Sequence, residues 1–166
     1  MSDKGLIEEM QAELFLKRGE GWFRVLSGSM SPIIETGDRI LAKKVDEINL
    51  RDIVVFRSGS IFITHRIIKI IRKDGKDMLL QRGDAGGIAA LTPPESVMGK
   101  VIAVEKKGKV IRLDYGIGKS KSIILGMVNQ FSYWVSIRIP TSSHRNIFFR
   151  LARKIMRYLL RCVIQI

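Results

Sequence analysis

Cysteine and histidine are scarce in this sequence: Cys162 is the only cysteine, and His65 and His144 are the only histidines. A lone cysteine excludes an intramolecular disulfide and a cysteine-based metal site. Two histidines also supply too few nitrogen ligands for a typical zinc centre. We therefore expect no metal centre built on these residues.

Acidic residues are absent after Asp114, whereas nine lysine and arginine residues follow it. The first 114 residues therefore carry only +4 of the formal net charge of +13. The sequence also lacks a long apolar run. The apolar stretch 123–135 is interrupted by Asn129, Gln130 and Ser132, and it is shorter than the ~20 apolar residues that span a bilayer. The N-terminal residues lack a basic start before an apolar run, so we expect neither a cleavable signal peptide nor an N-terminal membrane anchor.

The remaining pattern predicts one folded domain between a helix and a basic tail. Leu6, Met10 and Leu14 recur at four-residue spacing before Gly19 and predict an amphipathic helix in residues 1–20. Between residues 21 and 115, β-branched and aromatic runs separated by turn residues predict an antiparallel, barrel-like, mainly β domain. Residues 116–166 form the tail.

The tail is both basic and apolar. In residues 147–166 the apolar side chains fall on one helical face and most of the basic ones elsewhere. A helix of this kind can lie in the plane of an anionic membrane surface. We expect residues 123–166 to bind such a surface and the protein to be membrane-associated, with a cytoplasmic location as the alternative. Nucleic-acid binding, which we do not expect, would use the charge alone, and packing on a partner protein would use the apolar face alone.

Ser29 is the candidate nucleophile. It lies in Ser27-Gly28-Ser29-Met30-Ser31-Pro32, where small residues and a proline predict a tight turn that projects its hydroxyl. A serine hydroxyl is a weak nucleophile without a base to take its proton. Taken alone, a turn serine beside proline is common in any protein, so the interpretation depends on a base elsewhere.

His65 is the candidate base, because it lies in a predicted strand, 61–71, and imidazole titrates near neutrality. Its ring would have to be aimed at the serine. A carboxylate bonded to the far ring nitrogen would fix both tautomer and orientation. A strand histidine satisfied by backbone groups is the alternative, and His144 is expected to be a linker residue.

Four sequence blocks occur in one order: Ser29-Met30 with Gly37-Asp38 downstream, then 51–56, 64–67 and 83–85. In these blocks the chain resembles the S24/S26 serine peptidases, most closely the type I signal peptidases of the archaeal and endoplasmic-reticulum kind, in which histidine stands where bacterial enzymes carry lysine. The resemblance covers about residues 22–105. It implies a β domain of the signal-peptidase and repressor-protease type.

The resemblance also implies a third catalytic residue. Asp84, in a Gly-Asp block, would be the carboxylate that orients His65. Asp38 competes for this role, although its Gly37-Asp38 setting is typical of a structural turn before a strand.

Substrate contacts follow from the resemblance in the same way. Ser27 and the backbone amide of Ser29 would form the oxyanion hole. Met30 would lie near a groove that binds an extended precursor peptide along strand edges. An ordinary core methionine is the alternative for Met30.

We therefore expect a serine endopeptidase of the signal peptidase I type, which cleaves a secretory or membrane-proximal precursor after a small residue and uses neither a metal ion nor an organic cofactor. A dedicated leader peptidase for one small peptide is an alternative, and so is a non-catalytic module that binds peptides or membranes. Self-cleavage, as in the repressor branch of the superfamily, is disfavoured because no DNA-binding domain is recognisable before Ser29.

Overall fold

A computed structural model describes residues 3–58, 61–73 and 75–138 of the chain. Helix α1, Asp3–Arg18, comes first and helix α2, Gly116–Arg138, comes last. Eight strands lie between them: β1 Glu20–Arg24, β2 Arg39–Lys43, β3 Ile53–Ser58, β4 Ile61–Lys73, β5 Lys76–Gly83, β6 Gly86–Thr92, β7 Val97–Lys106 and β8 Lys109–Arg112. The predicted N-terminal helix is confirmed. The predicted helix in 147–166 lies outside the described residues.

The strands form one antiparallel sheet in the order β1-β2-β7-β3-β4-β5-β6, and β8 pairs with β7. The predicted antiparallel β domain is therefore confirmed. The expected barrel is not, because closure would require the two outermost strands to share ladder hydrogen bonds. In the described part of the chain, β1 pairs only with β2 and β6 only with β5, so the sheet stays open.

Hydrophobic residues cover both faces of the sheet. Val54 and Val55 are neighbours in β3 but belong to different core clusters, since successive strand residues point to opposite faces. The larger cluster joins Phe15 of α1 and Leu125 of α2 to the sheet. The first helix of the predicted tail is thus packed on the domain.

Strand β6 was not expected, because the sequence predicts a loop around 91–94. Gly86 and Gly87 both have φ near +99°, and glycine and alanine are poor strand formers. Pairing with β5, from Leu79↔Thr92 to Gly83↔Gly86, imposes the strand despite this composition.

Gly99 of β7 provides a test of the packing. A Cβ atom there would lie 2.7 Å from the carbonyl oxygen of Lys43 and 2.8 Å from a ring carbon of Phe15. We expect Gly99→Ala to lower the free energy of unfolding by about 1–3 kcal/mol, because neither neighbour can move freely. Gly21→Ala is the control, since its Cβ would meet its nearest atom at 3.4 Å. Denaturant unfolding of both variants measures the difference, and equal losses would contradict this packing.

Candidate active site

The loop that carries Ser29 is closed at its base and anchored in the core. The amide of Val25 donates to the carbonyl of Asp38 at 2.9 Å, which brings the two ends of the loop together. Between them, the side chains of Met30, Ile33 and Ile34 are buried in the larger core cluster. The position of Ser29 is therefore determined by the packing of the residue next to it.

Two side chains of this loop, those of Met30 and Asp38, have other partners than the sequence predictions give them. Met30 is only 2% exposed, so its side chain has no open surface from which to line a peptide groove, and the core alternative holds. Asp38 accepts a hydrogen bond from the amide of Glu35 at 2.8 Å and pairs with Lys106 at 3.2 Å. Its carboxylate stabilises the turn and forms no hydrogen bond with His65 among the described residues.

Ser29 lies against the end of β5. Its carbonyl oxygen accepts a hydrogen bond from the amide of Ala85 at 2.9 Å. A Cβ atom at Gly83 would lie 2.5 Å from the same oxygen and 3.2 Å from the Cβ of Ser29, so this approach requires glycine at position 83. The Ser29 side chain remains half-buried, and its Oγ lies 3.4 Å from the Oγ of Ser27, which is exposed.

His65 is held by a buried glutamine. It lies half-buried in β4, opposite Val54 of β3, and its Nδ1 is hydrogen-bonded to Oε1 of Gln81. An amide oxygen only accepts hydrogen bonds, so this contact fits the tautomer that carries its proton on Nδ1. The other ring nitrogen, Nε2, is then left with a free lone pair and can act as a base.

The contact of Gly83 with Ser29 and the hydrogen bond of Gln81 to His65 are made on the same side of β5. Gln81 and Gly83 are two residues apart in this strand, so their Cβ directions are parallel. One direction leads to the ring of His65 and the other to the backbone of Ser29. The contacts of the two residues that the sequence nominates as nucleophile and base are therefore made on one side of β5.

Asp84 does not take the place predicted for it. Its carboxylate accepts hydrogen bonds from Nε and Nη2 of Arg66 at 2.7 and 2.6 Å, and from the amide of Asn129 at 3.0 Å. Within the described residues it forms no hydrogen bond with His65. Successive residues of a strand point to opposite faces, so the side chains of His65 and Arg66 leave β4 on opposite sides. The Asp84 carboxylate lies on the Arg66 side, because it forms an ion pair with that residue.

The Arg66–Asp84 ion pair is completely enclosed. The two side chains are 0% and 1% exposed. Nη1 of Arg66 also donates to the carbonyl of Arg51 at 2.9 Å and to Oγ of Ser122 on α2 at 3.1 Å. Asn129 of the same helix donates to the carbonyl of Gly83 at 3.2 Å, so α2 contacts the strand end that seats Ser29.

Gln81 is the site residue that the sequence analysis missed. In the sequence, the only indication of its role is that it is a polar residue in the predicted strand Met78-Leu79-Leu80-Gln81. In the structure it is buried. Buried amides are hydrogen-bonded in native structures, which makes such a residue a candidate partner for another buried polar group. The sequence could not name the partner.

The described residues contain neither a metal-binding cluster nor a membrane-spanning helix, and the chain matches no known family. Across 3–58, 61–73 and 75–138, no group of three or more metal-ligating side chains could hold an ion. No helix in the same ranges has both the length and the apolarity needed to cross a bilayer. No protein-family model matches the chain, and no curated protein matches it in sequence.

The buried ion pair predicts a specific pattern of stability. Asp84→Leu leaves the guanidinium of Arg66 unpaired in the interior and should lower the free energy of unfolding by about 3–5 kcal/mol. The double variant Arg66→Met/Asp84→Leu removes both charges and should recover at least half of that loss.

Glu105→Leu is the matched control, because the side chains of its ion pair with Arg39 are 27% and 53% exposed and a solvent-exposed pair should contribute less than about 1 kcal/mol. Denaturant unfolding of the three variants gives the comparison. A double variant as unstable as Asp84→Leu alone would show that unpaired charge is not the cause.

Proposed function

We propose that this protein is a serine endopeptidase of the S24/S26, signal-peptidase kind, with Ser29 as nucleophile and His65 as general base. The observation that supports the proposal is that both residues are contacted from one side of β5, Ser29 by Gly83 and His65 by Gln81. The four sequence blocks that resemble this family add support. We assign the peptidase fold to residues 21–115, with α2 packed against it.

The reaction would proceed by acyl transfer. Nε2 of His65 takes the proton of the Ser29 hydroxyl as its oxygen attacks the scissile carbonyl, and the resulting imidazolium gives that proton to the departing amine. Water, activated by the same nitrogen, then hydrolyses the ester and restores Ser29. Throughout, Gln81 would accept the hydrogen bond from Nδ1 and keep Nε2 aimed at the serine.

Charge that develops on the carbonyl oxygen needs donors close to Ser29. The backbone amide of Ser29 forms no hydrogen bond within the described residues, so it is available to such an oxyanion. The exposed Ser27 hydroxyl lies close enough to the Ser29 hydroxyl to serve as a second donor. These two groups are the proposed oxyanion hole, since donors aimed at the transition state give large rate effects.

An open strand edge next to His65 supports a peptide as the substrate. Residues 61–65 of β4 pair with β3 on one side, whereas pairing with β5 begins only at Arg66, so the other edge has no partner strand among the described residues. An extended peptide can add to such an edge through its backbone. We propose cleavage of a secretory or membrane-proximal precursor after a small residue, as the family resemblance implies.

The first test is mass spectrometry of products from a panel of precursor peptides with Ala-X-Ala sites. We expect cleavage after the final alanine, and a fall in kcat of about 1,000-fold or more in Ser29→Ala and in His65→Ala, because either change removes the nucleophile–base pair. Ser120→Ala and His144→Ala are the matched controls.

Undiminished cleavage by Ser29→Ala would refute the proposal. If the wild-type protein cut no peptide of the panel, a dedicated leader peptide or a non-catalytic binding module would be favoured.

The second test separates Gln81 from Asp84 as the residue that positions His65. Gln81→Leu removes the acceptor for Nδ1 and should lower kcat/KM about 100-fold, because a misaligned base loses much of its effect. Gln81→Glu restores an acceptor and should recover most of the activity. Its carboxylate should also shift the acid limb of the pH profile to higher pH, since a negative charge stabilises the imidazolium.

A merely structural role for Gln81 would not produce that shift. Activity in Gln81→Leu equal to the wild-type value would show that the hydrogen bond is not needed.

A further inference from the structure

Helix α2 holds Leu125 and several polar residues on its inner side and leaves most of its large apolar residues exposed. The outward side, which we call the outer face, consists of Ile123, Ile124, Met127, Phe131 and Trp134, whose side chains are 39–64% exposed. These residues fall on one side of a helix with 3.6 residues per turn. Scattered exposed apolar residues are normal on a protein surface, but a continuous row of five indicates a contact surface.

The opposite side of α2 explains this arrangement. Ser122 and Asn129 are buried and bond to the Arg66–Asp84 pair, and the amide nitrogen of Gln130 donates to the carbonyl of Ile68 at 3.1 Å. The helix is thus fixed to the domain by hydrogen bonds on its inner side. Rotating it to bury the outer face would leave the ion pair without these partners.

Positive charges border the outer face. Lys119 and Lys121 lie at its N-terminal end, and the guanidinium of Arg138 lies 4.3 Å above the ring of Trp134 at its C-terminal end. Phe131 stacks on Trp134 with ring centroids 6.1 Å apart. Aromatic rings beside basic side chains are typical of helices at a membrane surface, where rings reach the headgroup boundary and cations meet anionic lipids.

We propose that the outer face of α2 binds an anionic membrane surface, with the helix lying in the plane of that surface. Charge selects this occupant over two others. A second copy of α2 would bring its lysines and arginine against the same charges on the first copy. The segment 139–166 of the chain would do the same, because it contains six basic residues and no acidic one. Anionic lipid supplies both the apolar phase and the opposite charge.

This inference does not rest on the proposed peptidase activity, but it has a consequence for it. Asn129, on the inner side of α2, bonds to the carbonyl of Gly83, which seats Ser29. A membrane-bound α2 would therefore attach the candidate active site to the membrane, with β4 between the helix and the His65 side chain.

The emission of Trp134 tests the proposal directly. The chain contains only one other tryptophan, Trp22, so the full-length Trp22→Phe variant reports on the outer face alone. On adding vesicles of phosphatidylcholine and phosphatidylglycerol, we expect a blue shift of Trp134 emission and quenching by lipids brominated on their acyl chains. Vesicles of phosphatidylcholine alone should bind more weakly, and added salt should weaken binding to the anionic vesicles.

Substitution gives a second measurement. Met127→Ser/Phe131→Ser in the same background should lower the vesicle partition coefficient by at least about 10-fold, because it removes two large apolar side chains from the contact. Ile88→Ser/Val110→Ser is the matched control, since both are exposed apolar residues of strands, β6 and β8, and neither belongs to the outer face.

Three results would overturn the proposal. Vesicle binding with unchanged Trp134 emission would assign the contact to another segment. A blue shift that depends on protein concentration without lipid would indicate a second copy of the chain. Absence of binding to anionic vesicles would exclude the membrane as the partner.

Discussion

The buried ion pair between Arg66 and Asp84 is the interaction on which the rest of this structure depends. Taking two charges out of water is costly unless each is paired and its remaining hydrogen-bonding groups are satisfied. Here the partners come from separate parts of the chain: the carbonyl of Arg51 before β3, and Ser122 and Asn129 on α2. The ion pair can form only when these segments assemble together. It therefore fixes the docking of α2 and the course of the chain after β5.

The same pair controls the candidate active site without belonging to it. Arg66 follows His65 in β4, so anchoring the arginine toward α2 directs the histidine to the opposite face. Asp84 stands between Gly83 and Ala85, the two residues that hold the backbone of Ser29. His65 is thus the neighbour of Arg66 in the chain. Ser29 contacts Gly83 and Ala85, which are the neighbours of Asp84 in the chain. A Gly-Asp block can in this way position the backbone of Ser29 although, in the described part of the chain, its carboxylate forms no hydrogen bond with His65.

Most strands could be predicted from the sequence, because alternating β-branched runs and turn residues are local signals. The partner of a buried polar group is not a local property. Gln81 and Asp84 are only three residues apart, and either could have reached His65 on spacing alone. Strand direction decides between them, since the side chain of Gln81 points toward the histidine while the chain turns after Gly83 and carries Asp84 toward Arg66. The open sheet and the glycine-rich β6 were missed for a similar reason, because pairing between distant residues determines both.

The distribution of polar and apolar residues on α2 also follows from the buried ion pair. In the sequence, Asn129 and Gln130 look like interruptions of an apolar stretch, which suggests a poor membrane segment. In the fold they are the inner side of the helix, and they bond to the ion pair and to the backbone of β4. A helix that must present amides to a buried charge pair cannot also bury all of its apolar residues, so some of these must face outward. Because the outward row is continuous and bordered by basic residues, the requirement that organises the interior also produces the surface that we assign to the membrane.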